Sequence, residues 1–417
     1  MSSDVRLAVI GGSGASTPEL MDAVADWPGG ADRRPALEII LQGRSVEKLA
    51  VVADACRLRL PASVRDVAVR AETSLERALE GADIVLIQVR IGGLDARIFD
   101  ETFPRASGIP GEETMGPGGF ANAMRTIPAL ASVWDALAGF APDAFIINLT
   151  NPSGIVSQAA TAHTGMQIVS VCDGPVTFVE SIAKAAEREV PAVRLAYAGL
   201  NHAGFWGDSD IAAMVAALPA TRGVDASDVE AIGALPSPYL RYYLHPDREL
   251  PTQLAADASR AQVLKRLEAE MMGQYSSGID ASEHKRRGAL WYGVSIVPLM
   301  DAVVHGSDES MVLGLPNRGA VSWAPEDATV ELPTRVLAGG ELQRLPAVTL
   351  SNAATIMLQR HAEFETSTAE TLAGVRSRDD LHERRSDLIA ALAANPMVPS
   401  EDVAARLMDQ IFDASPT

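Results

Sequence analysis

The chain has 417 residues, a hydrophobic content of 47% and a formal net charge of −19 at pH 7. This length allows two domains that share one cleft, and the hydrophobic content indicates a large buried core rather than disorder. The sequence contains no basic run, so we expect neither a nucleic-acid partner nor binding to an anionic membrane. An anionic substrate would have to be bound by a few locally placed arginines.

The cysteine content and the N-terminus indicate the compartment. Cys56 and Cys172 are the two cysteines, which is too few for a disulfide framework and is typical of a reducing cytoplasm. The segment Met1–Arg6 lacks the basic and apolar regions of a signal peptide, and no apolar run is long enough to span a membrane. We therefore expect a cytoplasmic protein without a membrane segment.

A glycine-rich turn follows the first predicted strand, Arg6–Ile10. It reads Gly11-Gly12-Ser13-Gly14, and Thr17 is a candidate N-cap for a helix whose first residue is Pro18. Backbone N–H groups in a turn between a strand and a helix favour a pyrophosphate. This position therefore predicts a dinucleotide site.

Apolar runs rich in Val, Ile and Leu alternate with helical patterns through the first 170 residues, which predicts a doubly wound parallel sheet. The predicted strands after the first are Leu37–Leu41, Val67–Val69, Ile84–Val89, Phe145–Leu149 and Ile168–Val171, with helices at Ser45–Leu58 and Asn122–Leu137 among those between them. The fold class is therefore α/β, with an N-terminal Rossmann-like domain over residues 1–170.

Residues 171–417 are less regular and predict a C-terminal mixed α+β domain that binds substrate and metal and forms the oligomer. Loops and short helices are expected over 218–260, and a helix over Gly288–Val304 that Pro298 kinks or breaks. Two strands and three terminal helices follow, at Met311–Leu315, Thr329–Val336, 352–372, 379–394 and 400–413.

Cys172 and His202 each follow a short apolar run that predicts a strand. A thiolate and an imidazole at neighbouring strand ends would suit a divalent transition metal with open positions for substrate. The alternative is that Cys172 is a small core residue and His202 a loop histidine with satisfied hydrogen bonds.

Two further stretches carry polar groups suited to a phosphorylated sugar. Arg90 and Arg97 lie in a predicted glycine-hinged loop after a strand, where two guanidinium groups can bind a phosphate, although both also fit a solvated loop. Asn148 lies at the end of the predicted strand Phe145–Leu149 and Asn151 follows it, and their amides can bind sugar hydroxyls without adding charge.

Taken together, eight stretches in the same order resemble glycoside hydrolase family 4, the NAD- and metal-dependent glycosidases, over nearly the whole chain. They are Gly11–Leu20, Arg90–Arg97, Gly111–Arg125, Asn148–Gly154, Cys172-Asp173, Gly199–His202, Arg287–Tyr292 and Asn317–Ala320. The resemblance implies a cytoplasmic homodimer or homotetramer that acts on phosphorylated disaccharides or other sugar 6-phosphates.

The resemblance also implies a mechanism that differs from hydrolysis by a pair of carboxylates. In such enzymes the cofactor oxidises the C3 hydroxyl of the sugar, the metal makes the C2 proton acidic, and a tyrosinate removes it. The aglycone then leaves, water adds, and the stored hydride reduces C3.

The resemblance assigns roles by position. Cys172 and His202 correspond to the ligands of Mn²⁺ or another divalent metal, Tyr292 to the base, and Asp173 to an acid for the leaving oxygen. Substrate contacts are implied for Arg97 and Asn151, with Arg90 and Arg318 beside them, and NAD contacts for Gly11, Gly12, Ser13 and Gly14.

Three features depart from the family pattern. Ser13 replaces a glycine, and the acidic residue expected after the second strand is absent, since Gln42-Gly43-Arg44-Ser45 stands there. Arg44 either pairs with the 2′-phosphate of NADP or lies on the adenine face of an NAD site. Asp173 resembles the 6-phospho-α-glucosidases, whereas Asn151–Gly154, Gly92–Leu94 and Arg287-Gly288 resemble the 6-phospho-β-glucosidases.

The sequence therefore favours an NAD-dependent 6-phospho-β-glucosidase, with a 6-phospho-α-glucosidase or another family 4 glycosidase as the alternative. A dehydrogenase of a sugar or hydroxy acid with the same architecture is the alternative from another enzyme class. A third possibility is a non-catalytic sensor of sugar phosphates or nucleotides. The intact Cys172, His202 and Tyr292 argue against a sensor, which has no use for a base.

Overall fold

The computed structural model describes residues 4–207, 210, 215–216, 223–280 and 290–414. Its first half alternates strands with helices along the chain. The strands are β1 Asp4–Ile10, β2 Ala36–Gln42, β3 Val67–Glu72, β4 Ile84–Ile87, β5 Phe145–Asn148 and β6 Ile168–Ser170. The helices among and after them are α1 Glu19–Ala25, α2 Val46–Arg59, α3 Leu75–Leu79, α4 Gly93–Thr102, α5 Gly116–Phe140, α6 Ser153–Thr164 and α7 Asp173–Ala185.

The second half mixes short strands with helices. Its strands are β7 Tyr197–Leu200, β8 Ala203–Trp206, β9 Leu235–Pro236, β10 Ser310–Pro316, β11 Thr329–Val336 and β12 Leu342–Arg344. Its helices are α8 Val190–Leu195, α9 Ala226–Ile232, α10 Arg241–Leu244, α11 Pro246–Ala255, α12 Arg260–Ser276, α13 Val297–His305, α14 Asn352–Thr371, α15 Arg378–Glu383, α16 Arg385–Ala393 and α17 Glu401–Ala414. A π-helix, Tyr292–Ile296, leads directly into α13.

One twelve-stranded sheet joins the two halves of the described chain. Strands β3-β2-β1-β4-β5-β6 are parallel, with Leu7 of β1 opposite Ile39 of β2 and Ile84 of β4. From β6 the sheet continues through antiparallel neighbours, beginning with Gly314 of β10 opposite Ser170 of β6. The predicted Rossmann-like sheet and the mixed α+β second half are therefore confirmed. The division at residues 170 and 171 stays a prediction.

Apolar cores cover both faces of the central parallel strands, whose residues are mainly apolar. One core includes Phe120 and Trp134 of α5 and Leu388 of α16. The other contains Leu20 of α1 and Met300 of α13. With both faces covered, ligands can reach the sheet only at the ends of its strands. Within the described ranges, no helix combines the length and the apolar character that crossing a bilayer requires.

Three local predictions need correction. Thr17 does not cap α1, which begins at Glu19; the Thr17 hydroxyl accepts a hydrogen bond from Gln88 Nε2 at 3.1 Å instead. The predicted glycine-hinged loop becomes helix after Gly92, whose left-handed φ of 75° precedes α4, so Arg97 lies on a helix. The predicted helix 379–394 is two helices, α15 and α16.

Helix α5 begins at Gly116, six residues before its predicted start at Asn122. The prediction missed this turn because it is rich in glycine. An added Cβ at Gly118 would lie 2.0 Å from the carbonyl oxygen of Glu112, and one at Gly119 would lie 1.8 Å from that of Thr114. These glycines serve close packing inside a helix, whereas in the sequence they indicate a loop. The predicted helix Gly288–Val304 begins outside the described residues. Within them it is the π-helix followed by α13, with Pro298 in the first turn of α13.

Candidate active site

Cys172 lies at the carboxyl end of β6 and forms the N-cap of α7. Its sulfur accepts a hydrogen bond from the N–H of Gly174 at 3.4 Å. The strand ends here because the Asp-Gly-Pro sequence that follows suits the first turn of a helix. Cys172 is thereby fixed at the edge of the sheet where parallel strands end.

His202 occupies the tight turn between β7 and β8, with a left-handed φ of 66°. Its ring stacks on Tyr239, with 3.8 Å between ring centroids and 7° between planes. His202, Tyr239 and Cys172 line the same small cavity, together with Ser237 and Trp206. The structure therefore brings the predicted thiol and imidazole together, although they are 30 residues apart in sequence.

Both candidate metal ligands hold their protons in this environment. Burial raises the pKa of the Cys172 thiol, and the nearby His202 opposes that rise only in part. Burial disfavours the charged form of His202, but Tyr239 and Glu112 outweigh it and hold its pKa well above the usual range. A metal that binds both groups must therefore displace protons.

Glu112 fixes the orientation of His202. One carboxylate oxygen lies 3.2 Å from His202 Nδ1, and the other accepts hydrogen bonds from the N–H groups of Thr114, at 2.6 Å, and Met115. A carboxylate at Nδ1 favours a proton on that nitrogen, so Nε2 is the nitrogen that gives up its proton when a metal binds.

Glu113, the next residue, binds the two predicted phosphate arginines. Its oxygens lie 2.5 Å from Arg90 Nη1 and 2.9 Å from Arg97 Nη1, and Arg97 Nε donates to Glu101 at 2.8 Å. Burial opposes ionisation of Glu113, yet the two arginines hold its pKa at about 2. A guanidinium carries five N–H donors, so Arg97 keeps donors that these bonds do not use.

Asp173 and Asn151 lie at neighbouring strand ends. Burial raises the pKa of Asp173, whose Oδ1 is 3.9 Å from the Cys172 sulfur. Asn151 precedes a cis peptide bond to Pro152, and its carbonyl oxygen accepts a hydrogen bond from Asn122 at 3.1 Å. Both residues follow strands that end beside each other, β5 and β6.

Tyr292 lies next to the glycine-rich turn. It is buried, and its hydroxyl donates to Gln88 Oε1 at 2.8 Å. An added Cβ at Gly11, which has a φ of 85°, would lie 2.9 Å from the Gln88 carbonyl oxygen. The tyrosine that stacks on His202 is instead Tyr239, to which the sequence analysis assigned no role.

The turn Gly11–Gly14 has the close packing that a dinucleotide loop requires. An added Cβ at Gly12 would lie 2.8 Å from Leu41 Cα, whereas one at Gly14 would meet nothing closer than 3.5 Å. Ser13 is accommodated by Gly43, since a Cβ there would lie 3.1 Å from the serine Cβ and Oγ. The substitution of Ser13 for glycine is thus matched by a glycine on the adjacent strand end.

Arg44 follows β2 and is exposed, and no hydrogen bond or ion pair engages its side chain within the described chain. Ser45 is the N-cap of α2, and its Oγ accepts a hydrogen bond from the N–H of Lys48 at 3.2 Å. Gln42 is buried and donates to the carbonyl of Thr73 at 3.3 Å. Arg44 is therefore the side chain of this segment that is available to a ligand.

Arg318 lies in the turn after β10 with a φ of 47° and is exposed. Asn317 holds this turn through hydrogen bonds to the carbonyls of Val321 and Ala324. In the described ranges, no hydrogen bond or ion pair connects the Arg318 side chain with Cys172 or His202. Arg287 and Gly288 lie outside the described residues.

The sequence analysis assigned no role to several residues near the site, because the residues they contact are far away in the sequence. Glu331 of β11 accepts from the Tyr197 hydroxyl at 2.9 Å and from Asn201 Nδ2 at 3.2 Å, beneath the Cys172 region. Glu365 of α14 faces Gly154. The only local signal was the acidic pair Glu112-Glu113 within an otherwise glycine-rich stretch.

These residues fit both a metal and a dinucleotide. The thiol and imidazole are two ligands, which leaves the remaining coordination positions for substrate oxygens and water. Within the described residues, one group of three acidic or histidine side chains is close enough together to hold a metal. It consists of Asp225, Asp228 and His245, none of which lines this cavity. The glycine turn fits a pyrophosphate because Gly14 is partly exposed and has no side chain to cover its backbone.

Comparison with known proteins gives a consistent result. Residues 6–188 match the model of "Family 4 glycosyl hydrolase", and residues 197–398 match that of its C-terminal domain. A "Probable 6-phospho-beta-glucosidase" of Bacillus subtilis strain 168 is 27% identical over 440 residues, covering 99% of this chain and 97% of that protein. "6-phospho-alpha-glucosidase 1" of Lacticaseibacillus paracasei is also 27% identical, over 98% of this chain and 96% of that protein.

A solved structure extends the similarity to the fold. The 6-phospho-β-glucosidase from Thermotoga maritima, determined with manganese, NAD⁺ and glucose-6-phosphate, superposes with a TM-score of 0.84. It is 25% identical in sequence, and the match covers 98% of each chain.

Proposed function

The chain belongs to glycoside hydrolase family 4, and we propose that it hydrolyses 6-phospho-β-glucosides with NAD and Mn²⁺ as cofactors. The observation that carries the proposal is the meeting of Cys172 and His202 in one cavity at the edge where β6 ends. The relatives named above support the substrate class and both cofactors.

In this proposal the first half, residues 1–170, binds the dinucleotide and the second half, 171–417, binds substrate and metal. Gly11, Gly12, Ser13 and Gly14 hold the pyrophosphate, and Arg44 the adenosine end. Cys172 and His202 hold the metal, with Glu112 orienting His202 for it. When bound, these groups supply reversible hydride transfer and polarisation of sugar oxygens.

The proton transfers fall to residues of the chain. Tyr292 is the proposed base on the sugar C2 proton, and Asp173 a proposed acid for the leaving oxygen. Tyr239 is a second candidate for the base, because its ring stacks on His202. A base that removes a proton must carry no proton itself. The neighbouring His202 lowers the pKa of Tyr239, but burial and nearby negative groups raise it to about 12. Since a bound cation beside Tyr239 would favour its ionised form, metal binding and base activation are coupled at this residue.

Arg97 and Arg90 are the proposed contacts of the 6-phosphate, with Asn151 and Arg318 as further substrate contacts. The pairing of both arginines with Glu113 keeps them ordered before substrate arrives. On a protein of charge −19, this local pair supplies the positive potential that an anionic substrate needs.

The preference for the β anomer rests on the Gly92–Leu94 and Asn151–Gly154 stretches, and the 6-phospho-α-glucosidases are the alternative. A panel of nitrophenyl 6-phosphoglycosides, α and β, gluco and galacto, tests the proposal with and without NAD⁺ and Mn²⁺. Hydrolysis that requires both cofactors is expected. Accumulation of NADH without release of nitrophenol would instead indicate a dehydrogenase.

We also propose a cytoplasmic homodimer or homotetramer. The Cys172 thiol must stay reduced to bind metal, which a reducing compartment ensures. Size-exclusion chromatography with light scattering gives the subunit number directly, and a monomeric mass under assay conditions would contradict the proposal.

A further inference from the structure

Glu365 is a carboxyl group of α14 that reaches the start of α6. An added Cβ at Gly154 would lie 2.5 Å from Glu365 Oε2. Helix α6 begins at Ser153, two residues after Asn151, at the carboxyl end of β5. Because β5 pairs with β6, this carboxyl lies beside the strand that leads to Cys172.

Unlike the other acidic residues of the cleft, Glu365 has no hydrogen bond or ion pair within the described chain. Glu101, Glu112, Glu113 and Glu331 each bind an N–H, hydroxyl or guanidinium group. Glu365 is half-buried, so its carboxyl is accessible to a ligand. A carboxyl in this position without a partner from the chain is a candidate for contact with substrate.

The surroundings of Glu365 keep it protonated. The charged groups that face it are Glu331 of β11 and His202 after β7, while α6 presents Gly154. Burial is the largest influence, Glu331 adds to it and His202 opposes it, and together they raise the pKa of Glu365 to about 8. One turn earlier on α14, burial likewise keeps His361 neutral, with a pKa of about 4.

We propose that Glu365 is a further catalytic residue, the acid that protonates the glycosidic oxygen as the bond to the aglycone breaks. This inference rests on the proposed function and revises one assignment in it, because Glu365 takes the role of acid that was given there to Asp173. Asp173 is the residue after a proposed metal ligand, whereas Glu365 approaches from a different helix and makes no hydrogen bond or ion pair within the described ranges.

The step balances as an ordinary general-acid cleavage. The C1–O bond breaks with both electrons passing to oxygen, and the proton moves from Glu365 to that oxygen, so the aglycone leaves as a neutral alcohol. The Glu365 carboxylate that remains faces the N-terminus of α6, whose dipole stabilises a negative charge. The water that later adds to the sugar returns a proton to Glu365.

The test compares leaving groups. Glu365→Gln keeps size and polarity but removes the acidic proton, so kcat/KM for a methyl 6-phosphoglycoside should fall by about 100-fold or more. The nitrophenyl 6-phosphoglycoside leaves as a stable anion and should lose less than about tenfold. Wild-type activity on the methyl substrate should fall above about pH 8, where Glu365 loses its proton, and this fall should be absent in the variant.

Matched variants keep the test decisive. Glu363→Gln, an exposed position on the same helix, should behave as wild type. Gly154→Ala, whose methyl group would displace the Glu365 carboxyl, should reproduce the dependence on leaving group if Glu365→Gln does not fold. The inference would be overturned if Glu365→Gln lost equal activity on both substrates. It would also be overturned if Asp173→Asn, and not Glu365→Gln, lost more activity on the methyl than on the nitrophenyl substrate. An inactive wild type would instead overturn the proposed function.

Discussion

Metal binding at Cys172 and His202 should release two protons near pH 7. Burial raises the thiol pKa above its ordinary value of 9.0, and Glu112 and Tyr239, against the effect of burial, hold that of His202 well above 6.5. Both groups are therefore protonated before metal binds, and both must lose a proton to become ligands. Protons compete with metal for these groups, so metal affinity should rise with pH. The expected rise is about tenfold per pH unit for each proton released and about hundredfold per pH unit for two.

Isothermal titration with Mn²⁺ in two buffers of different ionisation enthalpy counts the protons released. The variant Glu112→Gln removes one of the groups that raise the pKa of His202 and leaves Tyr239 in place, so the count of released protons should fall below two. Removing a partner that orients a ligand also weakens metal binding by about 10–100-fold. As a control, Glu101→Gln changes a buried carboxylate that binds Ala261 N–H and Arg97 but not His202. Affinity that is independent of pH, with no proton release, would refute the reasoning.

Three further predictions address individual side chains. Tyr292→Phe should lower kcat by orders of magnitude and abolish exchange of the C2 hydrogen with solvent deuterium, and if Tyr239→Phe does so instead, Tyr239 is the base. Arg97→Lys should lower the preference for a phosphorylated glycoside, measured as its kcat/KM divided by that of the same glycoside without phosphate, by about tenfold or more. Lysine cannot bind a phosphate bidentately, and an unchanged preference would exclude the contact. Arg44→Ala should weaken NADP⁺ relative to NAD⁺ by about tenfold, or about 1.4 kcal/mol; equal effects on both cofactors in a fluorescence titration would contradict that role.

The parallel sheet could be predicted because its strands are buried on both faces. Each of β1, β2 and β4 is an apolar run bounded by glycine or polar residues, and the alternation with helices leaves few other topologies. The same pattern placed Cys172 and His202 where apolar runs end, but it did not determine that they meet. Strand β7 runs antiparallel to β6, with β10 and β11 between them, so the carboxyl ends of β6 and β7 do not share one edge of the sheet. Local sequence was therefore sufficient for the parallel strands alone.

The hydrogen-bond partners at the site could not be predicted in the same way. Glu112 meets His202 across 90 residues, and Glu331 meets Tyr197 across 134. Such pairs depend on how β10 and β11 extend the parallel sheet, and hydrophobic periodicity carries no information about that pairing. The early start of α5 was missed for another reason, because Gly118 and Gly119 serve close packing against the carbonyl oxygens of Glu112 and Thr114 rather than a turn.

Two consecutive carboxylates connect the charged parts of the cleft. Glu112 orients His202, while Glu113 pairs with Arg90 and Arg97. Their backbone packs so closely on the first turn of α5 that only glycine fits at Gly118. The fold thus fixes the spacing between His202, a proposed metal ligand, and the two arginines proposed to bind the phosphate through one peptide unit. The distance between two reacting parts of a sugar phosphate is equally fixed, so a rigid support here positions substrate and metal together at no cost in conformational entropy when substrate binds.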